Sequence, residues 1–397
     1  MDRPASLALL VALLGAGSVA RADGLAFRVE GGQAEVRPTA QRAVLWLRRG
    51  VWELHLQPVF EREAGRAAWV VPFAVRPEVS LGNPDFLDQL ELLTAPVFLE
   101  VCRPEEESCF GQGGSSDTAG EVRAGTAAPE VWERGQVGTL DYVILSARDG
   151  DDLLAWLRAE GYAVPNTAII PVRVLAREGA FFFAARLSAG VDPDLPLPSL
   201  RFLLPGLQNP AYPLRLTAAG VPAGEHLDLS LWVITPLGQD WLPAERRVAS
   251  PPPALDDAAA LDAALGDIYL EDPDGLALLY SASPRETGGF DGQVCGWQYG
   301  CVDFAALGLA RPDAWCPELQ LVRDDAAWVQ RFQARLHATG LTTDLRLRPR
   351  AATEYLDRVE RVYLRWVCRD AQATSGWWVL LALGLGLGLR RRRRAGP

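Results

Sequence analysis

The sequence contains no lysine, a single methionine (Met1) and only three histidines among its 397 residues. All 39 basic residues are therefore arginine, which excludes both a Schiff-base lysine and a lysine general base. Between its termini the sequence also lacks a G-x-S-x-G nucleophile elbow, an H-E-x-x-H zinc pair and a P-loop. These absences remove the most recognisable signatures of serine hydrolases, zinc proteases and nucleotide-binding enzymes.

The part of the chain between its two ends carries a larger negative charge than the whole chain. Residues 1–22 and 371–397 together carry +6 of the formal net charge of −11, which leaves the region between them at −17. Such a surface repels nucleic acid, so no nucleic-acid partner is expected. With 49% apolar and 22% charged residues, the same region has enough material to fold around a core.

The N-terminus has the pattern of a secretory signal peptide, predicted over residues 1–22. Arg3 precedes an apolar stretch at residues 7–16, and Ala20-Arg21-Ala22 forms a small-x-small cleavage site. The chain is therefore expected to be exported.

The C-terminus is predicted to be a membrane or sorting tail over residues 371–397. Residues 376–389 are apolar, and the five arginines that follow favour the cytoplasmic side. These 14 residues span roughly 21 Å as a helix, and adding residues 371–375 gives 19 residues, a marginal span. Both a plain anchor and a tail removed later by a protease fit this length. The anchor residues are Trp377 and Trp378 at the outer interface, and Arg390, Arg391, Arg392, Arg393 and Arg394 inside.

Six cysteines in an exported chain favour three disulfides, although 15 pairings exist formally. Close spacing predicts Cys102 with Cys109 and Cys295 with Cys301, and elimination leaves Cys316 with Cys368. No C-x2-C pair occurs, so a structural metal site is the weaker alternative, and neither metal nor cofactor is expected.

Hydrophobic periodicity predicts an α+β fold, with a mixed, mostly antiparallel sheet and helices near residues 84–94, 150–160 and 166–178. Asn83 and Asp149 are expected as N-caps. Apolar and polar residues alternate over 52–57, which is typical of a half-buried strand. Other strands are expected at residues 42–48, 67–75, 97–103, 130–133, 140–145, 181–187, 200–204, 212–218 and 227–234.

A proline run, Pro251-Pro252-Pro253, is expected to separate a β-rich domain (residues 23–250) from a mainly helical, disulfide-linked subdomain (residues 251–370). The helical expectation rests on an Ala-rich stretch at 254–265, on apolar residues recurring every four positions at Trp328, Phe332 and Leu336, and on amphipathic residues 353–367.

Three stretches of this sequence resemble an uncharacterised bacterial family, domain of unknown function 2330. They are Trp69-Val-Val-Pro-Phe through Leu93-Thr94-Ala95-Pro96, then residues 153–165, and Tyr212-Pro-Leu-Arg-Leu-Thr217. The resemblance covers roughly residues 40–240 and implies an exported protein, often with a C-terminal sorting tail. It implies no catalytic residue.

Each histidine has a structural explanation at this stage. His55 and His226 lie on polar faces of strands, and His337 falls in the last turn of an expected helix. A joint role for His55 and His226 requires neighbouring strands. The acidic clusters at 149–152 and 271–274 are read as a helix N-terminus and a turn, with calcium binding as the alternative.

The feature that most favours binding is the short loop between Cys295 and Cys301. If the loop is closed, it displays Trp297 and Tyr299 from a rigid frame, while the alternative is that both rings seal the loop onto the body. The sequence therefore predicts an exported, C-terminally anchored envelope protein, with its body outside and its C-terminus inside the cytoplasm, that binds or scaffolds a protein or glycan partner. The alternative is an exported hydrolase that uses a carboxylate pair or metal-activated water.

Overall fold

The computed structural model describes residues 25–29, 40–57, 67–101, 129–192, 197–222, 224–252, 255, 257–283, 293–296, 300–303, 315–350 and 362–366. Within these ranges the chain has the expected α+β fold, with five α-helices and mostly antiparallel strands. Two strand pairs are parallel, so the mixed character expected from the sequence is confirmed.

The helices and strands are numbered in chain order. The helices are α1 (Pro84–Thr94), α2 (Gly150–Ala159), α3 (Ile169–Arg177), α4 (Ala258–Glu271) and α5 (Pro317–Asp324). The strands are β1 (Leu25–Val29), β2 (Ala40–Arg48), β3 (Val51–Leu56), β4 (Ala67–Phe73), β5 (Glu78–Leu81), β6 (Val97–Val101), β7 (Glu130–Val137), β8 (Leu140–Ser146), β9 (Tyr162–Ala163), β10 (Phe181–Leu187), β11 (Leu200–Leu204), β12 (Ala211–Tyr212), β13 (His226–Thr235), β14 (Trp241–Pro243), β15 (Val248–Ala249), β16 (Leu276–Ala282), β17 (Gln293–Gly296), β18 (Gly300–Asp303), β19 (Trp328–His337), β20 (Leu345–Pro349) and β21 (Val362–Trp366).

The chain divides into two compact units. Unit 1 comprises residues 1–87, 121–232 and 334–347, and unit 2 comprises residues 88–120, 233–333 and 348–397. Strands β13 and β19 each contribute residues to both units.

Unit 1 contains an antiparallel sheet of six strands in the order β7-β8-β10-β4-β1-β9. Helices α2 and α3 bury leucine, valine and alanine side chains against one face of this sheet. On the other face Phe183 stacks on Tyr142 and meets Phe202 of β11 at a centroid distance of 5.0 Å. Strand β10 is therefore buried along its middle on both faces, as its apolar sequence predicts.

A second sheet in unit 1 places β13, β2, β3, β11 and β5 side by side in that order. Strands β2 and β3 form a hairpin whose turn is Arg49-Gly50, and both turn residues have positive φ. Leu56 of β3 pairs with Leu200 of β11, which in turn pairs with Leu81 of β5.

The predicted starts of α1 and α2 are confirmed by their capping interactions, whereas the helix expected from residue 166 begins as a short 3-10 helix, Asn166–Ala168, before α3. Asn83 Oδ1 accepts the backbone N–H of Asp85 at 3.0 Å, and Asp149 Oδ1 accepts that of Asp151 at 2.9 Å. Gly161 and Gly179, which follow α2 and α3, both have a φ in the left-handed region. Local sequence signals thus suffice to place these helices.

Strand β3 is buried on both faces, so the half-buried expectation for residues 52–57 is wrong. Glu53 and His55 are only 5% and 2% exposed. Phe86 packs against the His55 ring at 5.1 Å, and Arg201 of β11 bonds to Glu53. A charged partner and an aromatic cover remove this polar face from solvent.

The strand expected at residues 212–218 is also wrong, because only β12 (Ala211–Tyr212) is extended there. Pro213 has no backbone N–H, and Asp344 Oδ1 accepts the backbone N–H groups of Leu214 and Arg215 at 2.9 and 3.0 Å. A side chain therefore takes the donors that a neighbouring strand would bind, and a short 3-10 helix follows at Thr217–Gly220.

Unit 2 combines helices with strands, which corrects the expectation of a mainly helical segment after residue 250. In it β15 pairs with β16 in parallel and β16 pairs with β19 antiparallel, while β21 runs parallel to β6. Helix α4 packs leucines onto β16 and fulfils the Ala-rich prediction. The stretch expected as a helix at 353–367 contains β21, and residues 353–361 lie outside the described part.

The segment from Trp328 to His337 forms strand β19, although its four-residue periodicity predicted a helix. A spacing of four residues equals two strand repeats, so Trp328, Phe332 and Leu336 share one face of a strand as well as one face of a helix. The residues at the alternate positions Val329 and Arg331 are buried too, which only a strand covered on both faces explains.

The cysteines are described in part. Cys316 is a buried free thiol, which differs from its expected pairing with Cys368, a residue outside the described ranges. Its backbone N–H donates to Gln89 Oε1 at 2.7 Å at the start of α5. Cys102 and Cys109 also lie outside the described ranges.

We predict that Cys295 and Cys301 form a disulfide in the exported protein. They are directly opposed in the β17–β18 pair. Opposed residues in antiparallel strands have Cα atoms about 4.5 or 5.5 Å apart, within the disulfide range of about 4.4–6.8 Å. Peptide mapping without reductant should recover one linked peptide that contains both residues. Alkylation of either thiol before reduction would contradict the pairing.

Candidate functional site

Several residues singled out from the sequence lie outside the described part of the structure. These are Trp297 and Tyr299, together with the anchor residues of the tail. In the described ranges, no helix combines the length and apolar character needed to cross a bilayer.

The acidic clusters named from the sequence are explained by local bonding. Asp151 accepts two hydrogen bonds from Arg173, at 2.9 and 2.7 Å. Asp272 Oδ1 accepts the N–H of Asp274 within a turn, and Glu271 forms an ion pair with Arg247. In the part of the chain that the structure describes, no group of three or more His, Cys, Asp or Glu side chains is arranged to hold a metal ion.

The clearest concave feature is a pocket of about 140 Å³ in unit 1. Apolar side chains form most of its wall, among them Leu54, Phe73, Leu175 and Leu204. Its charged wall consists of three residues, Glu178, Arg215 and Asp344.

Arg215 joins both carboxylates of this pocket. Its Nε donates to Asp344 Oδ2 at 2.8 Å, while Nη1 and Nη2 donate to the two oxygens of Glu178 at 2.8 and 2.6 Å. Burial alone lowers the pKa of a guanidinium, but the bonds from Glu178 and Asp344 outweigh it and raise the pKa of Arg215. The wall carries one positive and two negative side chains, and both carboxylates are bonded to the same guanidinium.

Each member of this triad is placed by a different local feature. Glu178 is the C-cap residue of α3, just before Gly179 turns the chain. Arg215 follows β12, and Asp344 immediately precedes β20, which pairs with β12. Sequence analysis missed the triad because its members lie 37 and 129 residues apart. The one available signal was the family-like stretch 212–217, which contains Arg215.

A second charged group lies inside unit 1 around Glu53. Arg201 donates two hydrogen bonds of 2.8 Å to its carboxylate, and His55 Nε2 lies 3.4 Å from Glu53 Oε2. Burial alone raises the pKa of a carboxyl, but His55 and Arg201 outweigh it and lower the pKa of Glu53 to about 2.

The pKa values of Glu53 and Cys316 are shifted away from those that acid catalysis and nucleophilic catalysis require. A general acid near neutral pH needs a carboxyl of raised pKa, whereas the pKa of Glu53 is lowered. A thiol nucleophile needs a lowered pKa, whereas burial raises the pKa of Cys316 to about 11. The described charged groups are held in ion pairs, and the wall of the pocket is mostly apolar.

A family model described as "Uncharacterized protein conserved in bacteria (DUF2330)" matches residues 19–348. The chain belongs to this family. The match confirms the resemblance read from the sequence and continues past the proline run at 251–253. No curated protein and no solved structure matches this DUF2330 chain.

We predict that the two carboxylates of the triad differ in their importance for stability. Asp344→Ala removes the acceptor of two backbone N–H groups and leaves Arg215 half-paired, so it should lower the free energy of unfolding by about 3 kcal/mol. Glu178→Gln, at a side chain 49% exposed, should cost under about 1 kcal/mol. Calorimetric melting of both variants measures the difference, and equal losses would contradict this assignment.

Proposed function

We propose that this DUF2330 protein is exported, is anchored by its C-terminal tail in the bacterial envelope, and binds a protein partner without catalysing a reaction. The location rests on the signal-like and tail-like termini of the sequence. The opposed cysteines of β17 and β18 support it, because disulfides persist in oxidising compartments.

The observation that carries the binding role is the pairing of both pocket carboxylates with one guanidinium. Arg215 bonds to Glu178 and Asp344 together, so neither carboxylate stands as a free acid or base facing the pocket. A carboxylate-pair hydrolase needs two carboxyl groups in distinct protonation states. This wall instead presents a triad in which both carboxylates are bonded to Arg215, which favours binding over the hydrolase alternative.

The size and lining of the pocket favour an apolar side chain of a protein as its occupant. A volume of about 140 Å³ is close to the roughly 150 Å³ of an engineered apolar cavity that accepts benzene. The charged groups are already bonded to one another and offer little to the hydroxyl groups of a sugar. A protein partner therefore fits this pocket better than a glycan partner.

We predict that the pocket takes up a small apolar probe and that a single exposed residue controls access. Ala74 lines the pocket and is itself exposed, so Ala74→Trp should cover the opening. Benzene should shift the methyl resonances of Leu54, Leu175 and Leu204 in the intact chain, and the variant should lose these shifts.

The control for this experiment is Ala155→Trp, which adds the same side chain at an exposed position of α2 outside the pocket lining. It should retain the benzene-induced shifts. Loss of the shifts in both variants, or in neither, would argue against a binding role for the pocket.

We predict that a fluorescent reporter that matures only in the cytoplasm will be active when fused after Pro397. The arginine block holds this end inside. The same reporter fused after residue 370, with the tail deleted, should be exported and inactive. Fluorescence from both fusions would contradict export. Absence of fluorescence from both would contradict a cytoplasmic C-terminus.

A further inference from the structure

Two of the three histidines of the chain lie side by side on unit 1. His226 begins β13 and His337 ends β19, and their ring centroids are 6.0 Å apart with an interplanar angle of 70°. The His226 side chain is 41% exposed, so solvent reaches the pair. The sequence offered no reason to expect this contact, because its periodicity predicted a helix at His337.

The surroundings of His337 fix which ring nitrogen is available. His337 Nδ1 lies 3.3 Å from the carbonyl oxygen of Glu225, and a carbonyl only accepts hydrogen bonds. In the neutral imidazole this contact assigns the proton to Nδ1 and the lone pair to Nε2. Histidines that bind metal ions usually donate their other ring N–H to a carboxylate, a backbone carbonyl or water, as His337 does here.

The charges nearby both help and oppose a bound cation. Asp228 Oδ1 lies 3.8 Å from His226 Nε2 and adds negative charge beside the pair. Arg335 Nε lies 3.4 Å from the same Asp228 oxygen, where it competes for that charge and repels a cation. The pair therefore has an attractive group that is partly neutralised by its neighbour.

We propose that His226 and His337 bind one late first-row divalent ion, Cu²⁺, Ni²⁺ or Zn²⁺, with water completing its coordination. Two imidazoles at about 2.0–2.1 Å from a tetrahedral ion have ring centres roughly 5 Å apart. Rotation of the exposed His226 side chain closes the remaining distance from 6.0 Å and leaves the contact of His337 with Glu225 in place. Imidazole favours these ions, whereas Mg²⁺ and Ca²⁺ favour oxygen ligands.

The test uses calorimetric titration of the intact chain with CuCl₂ and ZnCl₂, together with Cu²⁺ electron paramagnetic resonance. The wild type should show one site with two coordinated nitrogens. His226→Gln and His337→Gln should each weaken binding at least tenfold and remove one nitrogen from the spectrum. MgCl₂ and CaCl₂ should give no heat at this site.

Arg335→Gln is the more discriminating variant, because it leaves both ligands in place. Releasing Asp228 and removing a repelling charge should tighten binding several-fold. The matched control is Arg177→Gln, at an exposed arginine of α3, which changes net charge equally and should leave affinity unchanged. Unchanged binding in both histidine variants, or equal tightening in both arginine variants, would overturn the proposal.

Discussion

The structure of this chain depends on arginine–carboxylate pairing, because an acidic protein without lysine has no other permanent side-chain cation. Arg201 binds Glu53 inside a sheet, Arg215 joins two carboxylates at a pocket, and within unit 2 Arg331 meets Glu91 at 3.1 Å. A guanidinium presents a planar fork of donors, so each pair is held in a defined geometry. The carboxylate of Glu53 lies in the core, whereas Glu178 and Glu91 are partly exposed, so the pairing orders polar groups both inside the fold and at its surface.

The same pairing shapes the proposed function. A carboxylate bonded to arginine stays ionised and is a poor proton donor, as the lowered pKa of Glu53 shows. In the pocket near Arg215, both carboxylates are bonded to that arginine, and the rest of the wall is mostly apolar. Binding of an apolar group from a partner protein is the function that we propose on the basis of this chemistry.

Sequence reasoning succeeded where the deciding interactions are local. The caps at Asn83 and Asp149 act within three residues, so α1 and α2 were placed correctly. It failed where distant residues decide. Asp344 lies more than a hundred positions further along the chain, yet its bonds prevent residues 213–216 from forming a strand. The four-residue spacing in β19 fits a strand as well as a helix.

The sequence by itself determined the absence of lysine chemistry, the family, the α+β class and the expectation of export, since composition, motifs and local periodicity are properties of the linear chain. Tertiary structure alone decided the burial of Glu53, the triad around Arg215 and the meeting of His226 with His337. Each depends on which strands and loops become neighbours, and that choice minimises the free energy of the whole fold, beyond what any short segment encodes.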